Sequence, residues 1–379
     1  MKIGIVTFID YGNYGNRLQN YALQKLLEAR GYQVETILNE KYYDYAHRDC
    51  YYKMLPKHMI RVLFWKVYDL FFHNPHAMGH VWTKNPLMKE RIQKNLEFSE
   101  QYIHETDYIL HEGSLDHAEL QKYDYVFVGS DQVWNPTMAG ASDLYFLQNI
   151  APEKRVAFAA SIGLSEIPED YIRQWKKYIA GMNCISVREE SARQIVKETS
   201  GKDAVVLLDP TMLIGQEPWV QLLHTRKSEK RNPYILVYIL GEISEQRKQD
   251  IEKLAMSLDA EVLYLNSRDN QEMYTIDAVE FVKLISESEA VITDSFHACV
   301  FSILFHKNFW VLKRTGEYAN IYSRIDDLLG KFDLRERAVT EIANIDSKVL
   351  SEDQIQKIEN VLVTERNRAE QFLDSVFEK

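Results

Sequence analysis

The sequence predicts an α/β protein built from two Rossmann-like domains. Near the start, an apolar strand at 2–8 leads through a glycine-bearing loop into a helix at 17–30, and a second strand follows at 33–38. The same order of strand, helix and strand recurs at 234–265. A chain of 379 residues is also long enough for two domains of roughly 150 residues each. The repeated β-α-β unit therefore predicts two parallel sheets covered by helices.

The domain boundaries follow from where this alternation pauses. Further apolar strands are expected at 125–128, 156–160 and 205–208, and the polar stretch that starts at His224 has the composition of a linker. The final segment is amphipathic and long enough to cross back onto the first domain. The predicted organisation is an N-terminal domain at 1–223, a C-terminal domain at 224–350 and a returning helix at 351–379.

Residues 40–110 depart from the alternation of strands and helices. This stretch holds fourteen aromatic residues, which predicts a helical insertion beside a cleft. Aromatic side chains usually pack into a core, but Tyr42, Tyr43 and Tyr45 would also suit the apolar faces of sugar rings in an acceptor. The histidines between 73 and 80 are interrupted by a proline and lack a nearby cysteine or carboxylate ligand, so no metal site is predicted.

Charge and cysteine content exclude several classes of protein. The net charge of -11 comes without any basic block, which argues against a nucleic-acid partner. Cys50, Cys184 and Cys299 are odd in number and widely spaced, so neither a disulfide framework nor a zinc site is expected. The chain starts with a strand rather than a signal peptide and has no apolar run that could span a bilayer. These features predict a cytoplasmic protein, free or peripheral at the inner membrane.

The most informative segment is VITDSFHACVFSIL at 291–304. It places His297 where an apolar strand ends and an apolar helix begins, which is where ligands bind in open α/β sheets. The free backbone N–H groups of a helix N-terminus also favour an anion. His297 is therefore a candidate catalytic residue, although the same pattern is typical of a capped turn with a structural histidine.

Polar residues follow two strands of the N-terminal half. Ser130, Asp131 and Gln132 come directly after the strand at 125–128, and Asp131 could act as a base or as a helix cap. Ser161 and Gly163 end the next strand, where small residues let a ligand approach closely. We expect these residues to bind an acceptor or an anion.

The loop DYGNYGNR at 10–17 is a similar but weaker indication of a ligand site. It joins a strand to a helix, so Asn13, Gly15, Asn16 and Arg17 are candidates for binding an anion or a sugar hydroxyl. The loop is not a GxGxxG fingerprint and lacks the acidic residue of a dinucleotide site, which disfavours nicotinamide chemistry.

Two arginines complete the set of candidates. Arg188 follows a strand and could bind a carboxylate or phosphate through its planar fork, or could instead pair with Glu189 or Glu190. In the segment NIYSRIDDLL, Ser323 and Arg324 are candidates, although the two aspartates that follow could form ion pairs with that arginine.

With these segments in order, the chain resembles the polysaccharide pyruvyl transferase family. The resemblance covers most of residues 1–335 and is carried by GNYGN with NYAL, then YVFVGSDQVWN, SVREE, LLDPT, VITDSFHACVFSIL and NIYSRIDDLL. It implies a GT-B-like fold, with the active site in the cleft between two Rossmann-like domains. It also implies transfer of the enolpyruvyl unit of phosphoenolpyruvate onto a sugar as a pyruvate ketal, with His297 and Arg188 at the main active-site positions.

The chain departs from the family pattern at one position. Some characterised members have an arginine two residues before the motif histidine, where this chain has Ser295. A serine cannot make the bidentate charged contact of an arginine, so donor binding would shift to Arg188, Arg324, Arg17 or helix amides. Ser295 and the glycine after the strand at 234–240, Gly241, complete the expected donor site.

The resemblance leads to a mechanism in which His297 is the general acid, Arg188 binds phosphate or carboxylate, and Asp131 orients or deprotonates the acceptor hydroxyl. Phosphoenolpyruvate is a co-substrate, and no metal or further cofactor is required. The acceptor would be a saccharide or lipid-linked saccharide of a cell-surface polysaccharide, and a homo-oligomer is left open. A GT-B glycosyltransferase that uses a nucleotide sugar, and a non-catalytic glycan-binding or assembly protein, are the alternatives.

Overall fold

The computed structural model of the protein describes residues 1–39, 85–110, 118–138, 141–226, 231–313, 323–342, 345 and 349–378. Tyr42, Tyr43 and Tyr45, with most of the predicted aromatic insertion, lie outside these residues. Near the end of that insertion, the described chain returns to the first sheet by residue 105.

The first sheet is parallel and has seven strands in the described part of the chain, in the order β3-β2-β1-β4-β5-β6-β7. Most of these strands are rich in β-branched or apolar residues and are covered on both faces, as parallel sheets require. The strands are β1 (Lys2–Val6), β2 (Gln33–Asn39), β3 (Glu105–Leu110), β4 (Tyr125–Gly129), β5 (Arg155–Ala160), β6 (Cys184–Val187) and β7 (Val205–Val206).

The second sheet is also parallel, with five described strands in the order β12-β11-β10-β8-β9. Strand β10 lies at its centre, with Val291 opposite Leu236 on one side and Phe309 on the other. The strands are β8 (Tyr234–Tyr238), β9 (Glu261–Tyr264), β10 (Ala290–Thr293), β11 (Asn308–Leu312) and β12 (Ala338–Val339).

Helices cover the two sheets, and three of them supply the candidate site. In chain order the helices are α1 (Tyr14–Glu28), α2 (Pro86–Tyr102), α3 (Ala118–Gln121), α4 (Glu169–Ala180), α5 (Glu190–Ser200), α6 (Pro210–Leu213), α7 (Glu217–Leu223), α8 (Glu245–Ser257), α9 (Gln271–Tyr274), α10 (Ala278–Glu287), α11 (Phe296–Leu304), α12 (Ser323–Lys331) and α13 (Glu352–Phe377). Each described helix is too short or too polar to cross a bilayer.

Helix α1 begins three residues earlier than predicted. The side chain of Asn13 accepts a hydrogen bond from the backbone N–H of Asn16, so Asn13 is the N-cap and the predicted loop ends there. Gly15, Asn16 and Arg17 consequently lie in the first turn of the helix.

The two domains contact each other through buried aromatic side chains. Tyr14 of α1 stacks on Phe281 of α10 with ring centroids 5.0 Å apart. Arg91 of α2 packs over the ring of Tyr274 and donates a 2.6 Å hydrogen bond to its carbonyl oxygen. These contacts fix the relative position of the two sheets on one side of the cleft.

Helix α13 returns to the first domain, as the sequence predicts. Ser351 caps it with a reciprocal capping box. At its far end, Phe377 packs on Tyr125 and Phe127, and Arg30 of the first domain pairs with Glu370 and Asp374. Two doubly wound domains facing each other, with a returning C-terminal helix, confirm the predicted GT-B-like fold.

Candidate active site

The strand orders place one crevice in each sheet. In the first sheet the connections reverse between β1 and β4, and in the second between β8 and β10. The carboxyl ends of strands at such a reversal are where open α/β sheets bind ligands. The loop at 7–13, the segment at 130–135 and the N-terminus of α11 follow these strands, so their candidate residues belong to the two crevices, whereas Arg188 follows the neighbouring strand β6.

His297 is positioned by the turn between β10 and α11. The apolar strand ends at Thr293, whose hydroxyl accepts the backbone N–H of Ser295 and so turns the chain. Ser295 is the N-cap of α11, without a side-chain capping bond, and His297 lies in the first helical turn. The imidazole is buried.

The His297 ring lies directly against Gly15 of the other domain. A Cβ atom on residue 15 would be 2.7 Å from Cε1 of the imidazole and closer still to Nδ1. The site therefore needs glycine at this position, because any side chain there would displace the ring. Gly15 makes room for a residue of the second domain.

Asp209 joins Arg188 to His297. Its Oδ2 accepts a 2.6 Å hydrogen bond from Arg188 and a 2.9 Å hydrogen bond from Ser130, and lies 3.8 Å from Nε2 of His297. Its Oδ1 accepts the N–H and hydroxyl of Thr211. Burial favours a higher pKa for Asp209, but Arg188 and His297 outweigh it and lower the pKa to about 2. Asp209 is thus a fixed carboxylate between the two domains.

Asp131 is a second buried carboxylate beside His297. It has a left-handed backbone with φ of 67°, and its Oδ2 accepts a 3.0 Å hydrogen bond from the side chain of Asn16. Burial raises its pKa, but Arg188 and His297 bring the pKa below its usual value. Asp131 is therefore ionised at neutral pH. It is not a helix cap, because no described helix begins directly after it.

The environment of His297 lowers its pKa. Burial is the largest cause, Asp209 and Asp131 oppose it, and Arg188 and Arg324 add to it. In the protein without a bound anion, the imidazole of His297 is therefore harder to protonate than a free imidazole. An anion on the two arginines would offset their effect and raise the pKa again.

Arg188 and His297 carry buried nitrogens without hydrogen-bond partners among the described residues. These are Nε and Nη2 of Arg188 and Nε2 of His297. Arg188 pairs with Asp209, so the alternative pairing with Glu189 or Glu190 is wrong. Because buried polar groups in folded proteins are nearly always paired, these nitrogens are candidates for contact with a ligand.

The guanidinium groups of Arg188 and Arg324 both pack against the ring of Phe296. Their guanidinium carbons lie 4.3 Å and 5.5 Å from its centroid. Together with Asp209, these three residues form the inner wall of a cavity of about 590 Å³. The two aspartates that follow Arg324 have other contacts: Asp326 lies 3.6 Å from Arg335, and Asp327 accepts the backbone N–H of Glu190.

Several predicted site residues serve as buried supports of the first domain. Glu189 accepts hydrogen bonds from the Ser161 hydroxyl and from the Gly163 amide. Gln132 bonds Asn135 and packs so tightly on Gly163 that no side chain would fit there. Ser130 supports Asp209 as described above. These residues hold the strand ends in place behind the candidate site.

Two predicted contacts have structural partners instead. Arg17 is fully buried, pairs with Glu105 at 3.1 Å and donates a hydrogen bond to the Phe8 carbonyl. Its charge is therefore paired within the first domain. The amide N–H of Gly241 is donated to Asp294 at 2.9 Å, which leaves no amide hydrogen for a donor substrate. The side chain of Ser323, at the start of α12, lies outside the described residues.

Sequence reasoning missed Asp209 and Asp10. Asp209 stands where the apolar stretch at 205–208 ends in an Asp-Pro-Thr sequence, which is the same strand-end signal that identified Asp131. Asp10 accepts the backbone N–H of Gly12, and its own N–H is donated to Asn16, which also bonds Asp131. Burial raises the pKa of Asp10 to about 6, although Gly12 and Arg17 oppose it. It is a carboxyl that titrates near neutral pH.

Similar solved structures include three UDP-N-acetylglucosamine 2-epimerases. The enzyme from Neisseria meningitidis, bound to UDP-GlcNAc, is 15% identical, with 96% of this chain and 100% of that chain covered and a TM-score of 0.43. A putative enzyme from Listeria monocytogenes is 14% identical, with 98% and 97% covered and a TM-score of 0.48. The enzyme from Methanocaldococcus jannaschii is 12% identical, with 96% and 93% covered and a TM-score of 0.47. No curated protein sequence matches the chain significantly.

The fold and the site together define a GT-B-like α/β protein whose buried histidine, arginines and aspartates meet at the junction of two domains. The family model described as polysaccharide pyruvyl transferase matches residues 13–315, which span most of both domains. The chain belongs to that family, as the ordered motifs predict, and it is a transferase.

Proposed function

We propose that the protein transfers the enolpyruvyl unit of phosphoenolpyruvate to two hydroxyls of a saccharide, forming a pyruvate ketal and phosphate. One observation carries the proposal: the unpartnered nitrogens of Arg188 and His297 are buried in one cluster with Asp131 and Asp209. Such a cluster suits a small anion that needs charge neutralisation and proton transfer at adjacent atoms.

The donor binds at the inner wall. Arg188 and Arg324 both pack against Phe296, and their guanidinium groups would bind the carboxylate and phosphate of phosphoenolpyruvate. The neighbouring Ser295 makes no side-chain capping bond, so its hydroxyl is available to the same anion. This arrangement would supply the charge that some characterised family members carry on an arginine two residues before the histidine.

His297 delivers the proton. Its Nε2 protonates the methylene carbon of phosphoenolpyruvate, which becomes the methyl group, and C2 becomes electron-deficient. Because the donor anion offsets the positive charges of Arg188 and Arg324, we expect it to raise the lowered pKa of His297. His297 would then carry its proton in the donor complex. Asp209, 3.8 Å from Nε2, stabilises the imidazolium.

The acceptor hydroxyls add to C2 one after the other. The first forms a C2–O bond, the bond between C2 and the phosphate oxygen breaks, and the second hydroxyl closes the ketal. Of the two hydroxyl protons released, one restores the proton given by His297 and one leaves on phosphate. Asp131 orients the acceptor, and Asp10 takes up the hydroxyl proton that then leaves on phosphate, because its pKa of about 6 suits a base near neutral pH. The scheme needs no metal or further cofactor.

The acceptor in this proposal is a saccharide or lipid-linked saccharide of a cell-surface polysaccharide. Family membership supports pyruvyl transfer to a polysaccharide or its precursor. A lipid-linked acceptor would bring a cytoplasmic protein to the inner membrane.

The test is a donor screen on the purified protein, scored by phosphate release in the presence of saccharide acceptors. We expect phosphoenolpyruvate to be consumed, and His297→Ala to abolish most of that release. Turnover of a nucleotide sugar without turnover of phosphoenolpyruvate would replace the proposal with a glycosyltransferase. Saccharide binding without turnover of any donor would indicate a non-catalytic glycan-binding protein.

A further inference from the structure

The side chain of Asn16 connects Asp10 to Asp131 in the crevice of the first sheet. Its amide nitrogen donates a 3.0 Å hydrogen bond to Oδ2 of Asp131, and its amide oxygen accepts the backbone N–H of Asp10 at 2.9 Å. Asn16 is only 1% exposed, and the ring of His297 lies against its neighbour Gly15. The first turn of α1 therefore contacts two carboxyl residues and the candidate acid.

Arg17 fixes which end of the Asn16 amide faces Asp131. Its Nε and Nη2 donate hydrogen bonds to the amide oxygen of Asn16 at 3.2 Å and 2.8 Å. A guanidinium group and a backbone N–H can only donate, so the amide oxygen must face Arg17 and the N–H of Asp10. The amide nitrogen is the end that remains for Asp131. Asn16 can therefore offer that carboxylate a hydrogen-bond donor but not an acceptor.

Both oxygens of the Asp131 carboxylate accept a hydrogen bond from a neutral amide. The backbone N–H of Gln132 donates to Oδ1 at 2.8 Å, and Asn16 donates to Oδ2. Such donors favour the ionised form, because the negative charge strengthens each bond. Burial raises the pKa of Asp131, but Arg188, His297 and the bond from Asn16 outweigh burial and bring the pKa below its usual value.

The carboxyl group of Asp10 has the opposite environment. Among the described residues it accepts one hydrogen bond, from the backbone N–H of Gly12, whereas Asn16 bonds the Asp10 backbone. Burial raises the pKa of Asp10 to about 6, and the charge of Asp131 adds to this effect. Carboxyl groups whose pKa values are pushed apart can divide the roles of proton carrier and fixed charge. The charged and titratable groups that act on the pair come from both domains and are Arg17, Arg91, Arg188, His297 and Arg324.

We propose that Asn16 is a positioning residue that assigns the charge within this pair: it keeps Asp131 ionised beside His297 and leaves Asp10 to carry the proton of the acceptor hydroxyl. Asn16 acts through the two carboxyl groups and does not touch the reacting atoms. The division of catalytic roles rests on the proposed function, whereas control of the Asp131 charge by Asn16 does not.

Two substitutions separate this role from support of the fold. Asn16→Asp keeps the oxygen that accepts hydrogen bonds but turns a second oxygen toward Asp131, and Asn16→Ala removes the donor without adding a charge. The matched control is Asn135→Asp. Asn135 is also buried, accepts two hydrogen bonds from Thr137 and donates one to Gln132, which is neutral.

The measurement is a carbon-13 nuclear magnetic resonance titration of the full chain labelled at its aspartate carboxyl carbons. The resonances of Asp131 and Asp10 are assigned by their loss in Asp131→Asn and Asp10→Asn. We expect the Asp131 titration to move to higher pH in both Asn16 variants, and further in Asn16→Asp, because a donor is lost and a like charge is added. In Asn135→Asp, Asp131 should titrate as in the wild type.

The pH profile of phosphate release from phosphoenolpyruvate gives a second readout. Since Asp131 must be ionised, the acid limb of the Asn16→Asp profile should move to higher pH. Turnover relative to the wild type should be on the order of tenfold lower at about pH 6 than at about pH 8, because each pH unit below a pKa costs roughly tenfold in the ionised fraction. A loss by the same factor at every pH would indicate a purely structural residue and would overturn the role in the reaction.

The titration decides the control of the charge. An Asp131 titration at the wild-type pH in both Asn16 variants would overturn the inference, and so would an equal shift in Asn135→Asp. If one Asn16 variant does not fold, the other gives the answer. If the wild type consumes no phosphoenolpyruvate while the Asn16 variants still move the Asp131 titration, the proposed function fails and the control of the Asp131 charge stands.

Discussion

The imidazole of His297 lies against the backbone of Gly15, so that the candidate acid of one domain is held by the helix N-terminus of the other. Neither domain alone fixes the ring. Asp209, Arg188 and Asp131 reach the same ring from the first domain, whereas the helix that carries His297 belongs to the second. Correct packing of the two domains is therefore a condition for the chemistry.

Gly15→Ala should reduce turnover on the order of 100-fold while the protein remains folded, because the added methyl group displaces His297 and small displacements of a catalytic group cost about that much. Steady-state kinetics and a thermal unfolding curve measure the two effects. Gly4→Ala on β1 is the control, since its nearest new contact is the end of the Ile37 side chain, 2.7 Å away in the core of the first domain. Equal activity of both variants would contradict the assigned role of the Gly15 contact.

His297→Ala should reduce turnover roughly 100- to 10,000-fold, the usual contribution of a positioned acid or base. The fold should survive, because Nε2 has no hydrogen-bond partner to lose among the described residues. Phosphate release and circular dichroism provide the measurements. A variant with near-normal turnover would make His297 structural and remove the general acid from the mechanism.

Arg188→Lys should weaken phosphoenolpyruvate binding roughly tenfold or more and affect acceptor binding less. Lysine keeps the charge but loses the planar fork that bonds Asp209 with one nitrogen and leaves two for the donor. Separate titrations of donor and acceptor measure the split. An equal loss of both affinities would assign Arg188 to the support of Asp209 and not to the donor.

Asp10→Asn tests the raised pKa of Asp10. The folded value of about 6 lies above the unfolded value of 3.8, so the stability that protonated Asp10 contributes is present below pH 3.8 and is lost as the pH rises through about 6. Asparagine does not titrate and can still accept from Gly12. The unfolding free energy of the variant relative to wild type should therefore increase by roughly 2 kcal/mol between about pH 4 and pH 7.5.

Urea unfolding at several pH values measures this difference. Asp203→Asn is the control: Lys197 lowers the pKa of that exposed carboxyl, so its substitution should not stabilise the protein as the pH rises. A pH-independent difference for Asp10→Asn would contradict the raised pKa. The same variant should also lose activity if Asp10 is the base for an acceptor hydroxyl.

The sequence predicts the individual segments of this site better than the contacts between them. The alternation of strands and helices is a local pattern, so both sheets and the returning helix follow from it, and the strand-to-helix turn at His297 is visible in a single segment. The contact between Gly15 and His297 depends on how two domains pack, which no local period encodes. The partner of Arg188 was missed for the same reason: Glu189 and Glu190 are its neighbours in sequence, but Asp209 is its neighbour in the sheet.

Asp209→Asn should lower the pKa of His297 further. Burial already lowers that pKa, and Asp209 is the leading group that opposes burial, so removing its charge removes support for the imidazolium. Freed from its carboxylate, Arg188 adds to the same effect. Nuclear magnetic resonance titration of the His297 ring measures the change, with Asp143→Asn as a control, because that exposed carboxylate accepts hydrogen bonds from Gln174 and Tyr178 of α4. An unchanged or higher His297 pKa would show that Asp209 holds Arg188 alone and does not stabilise the acid.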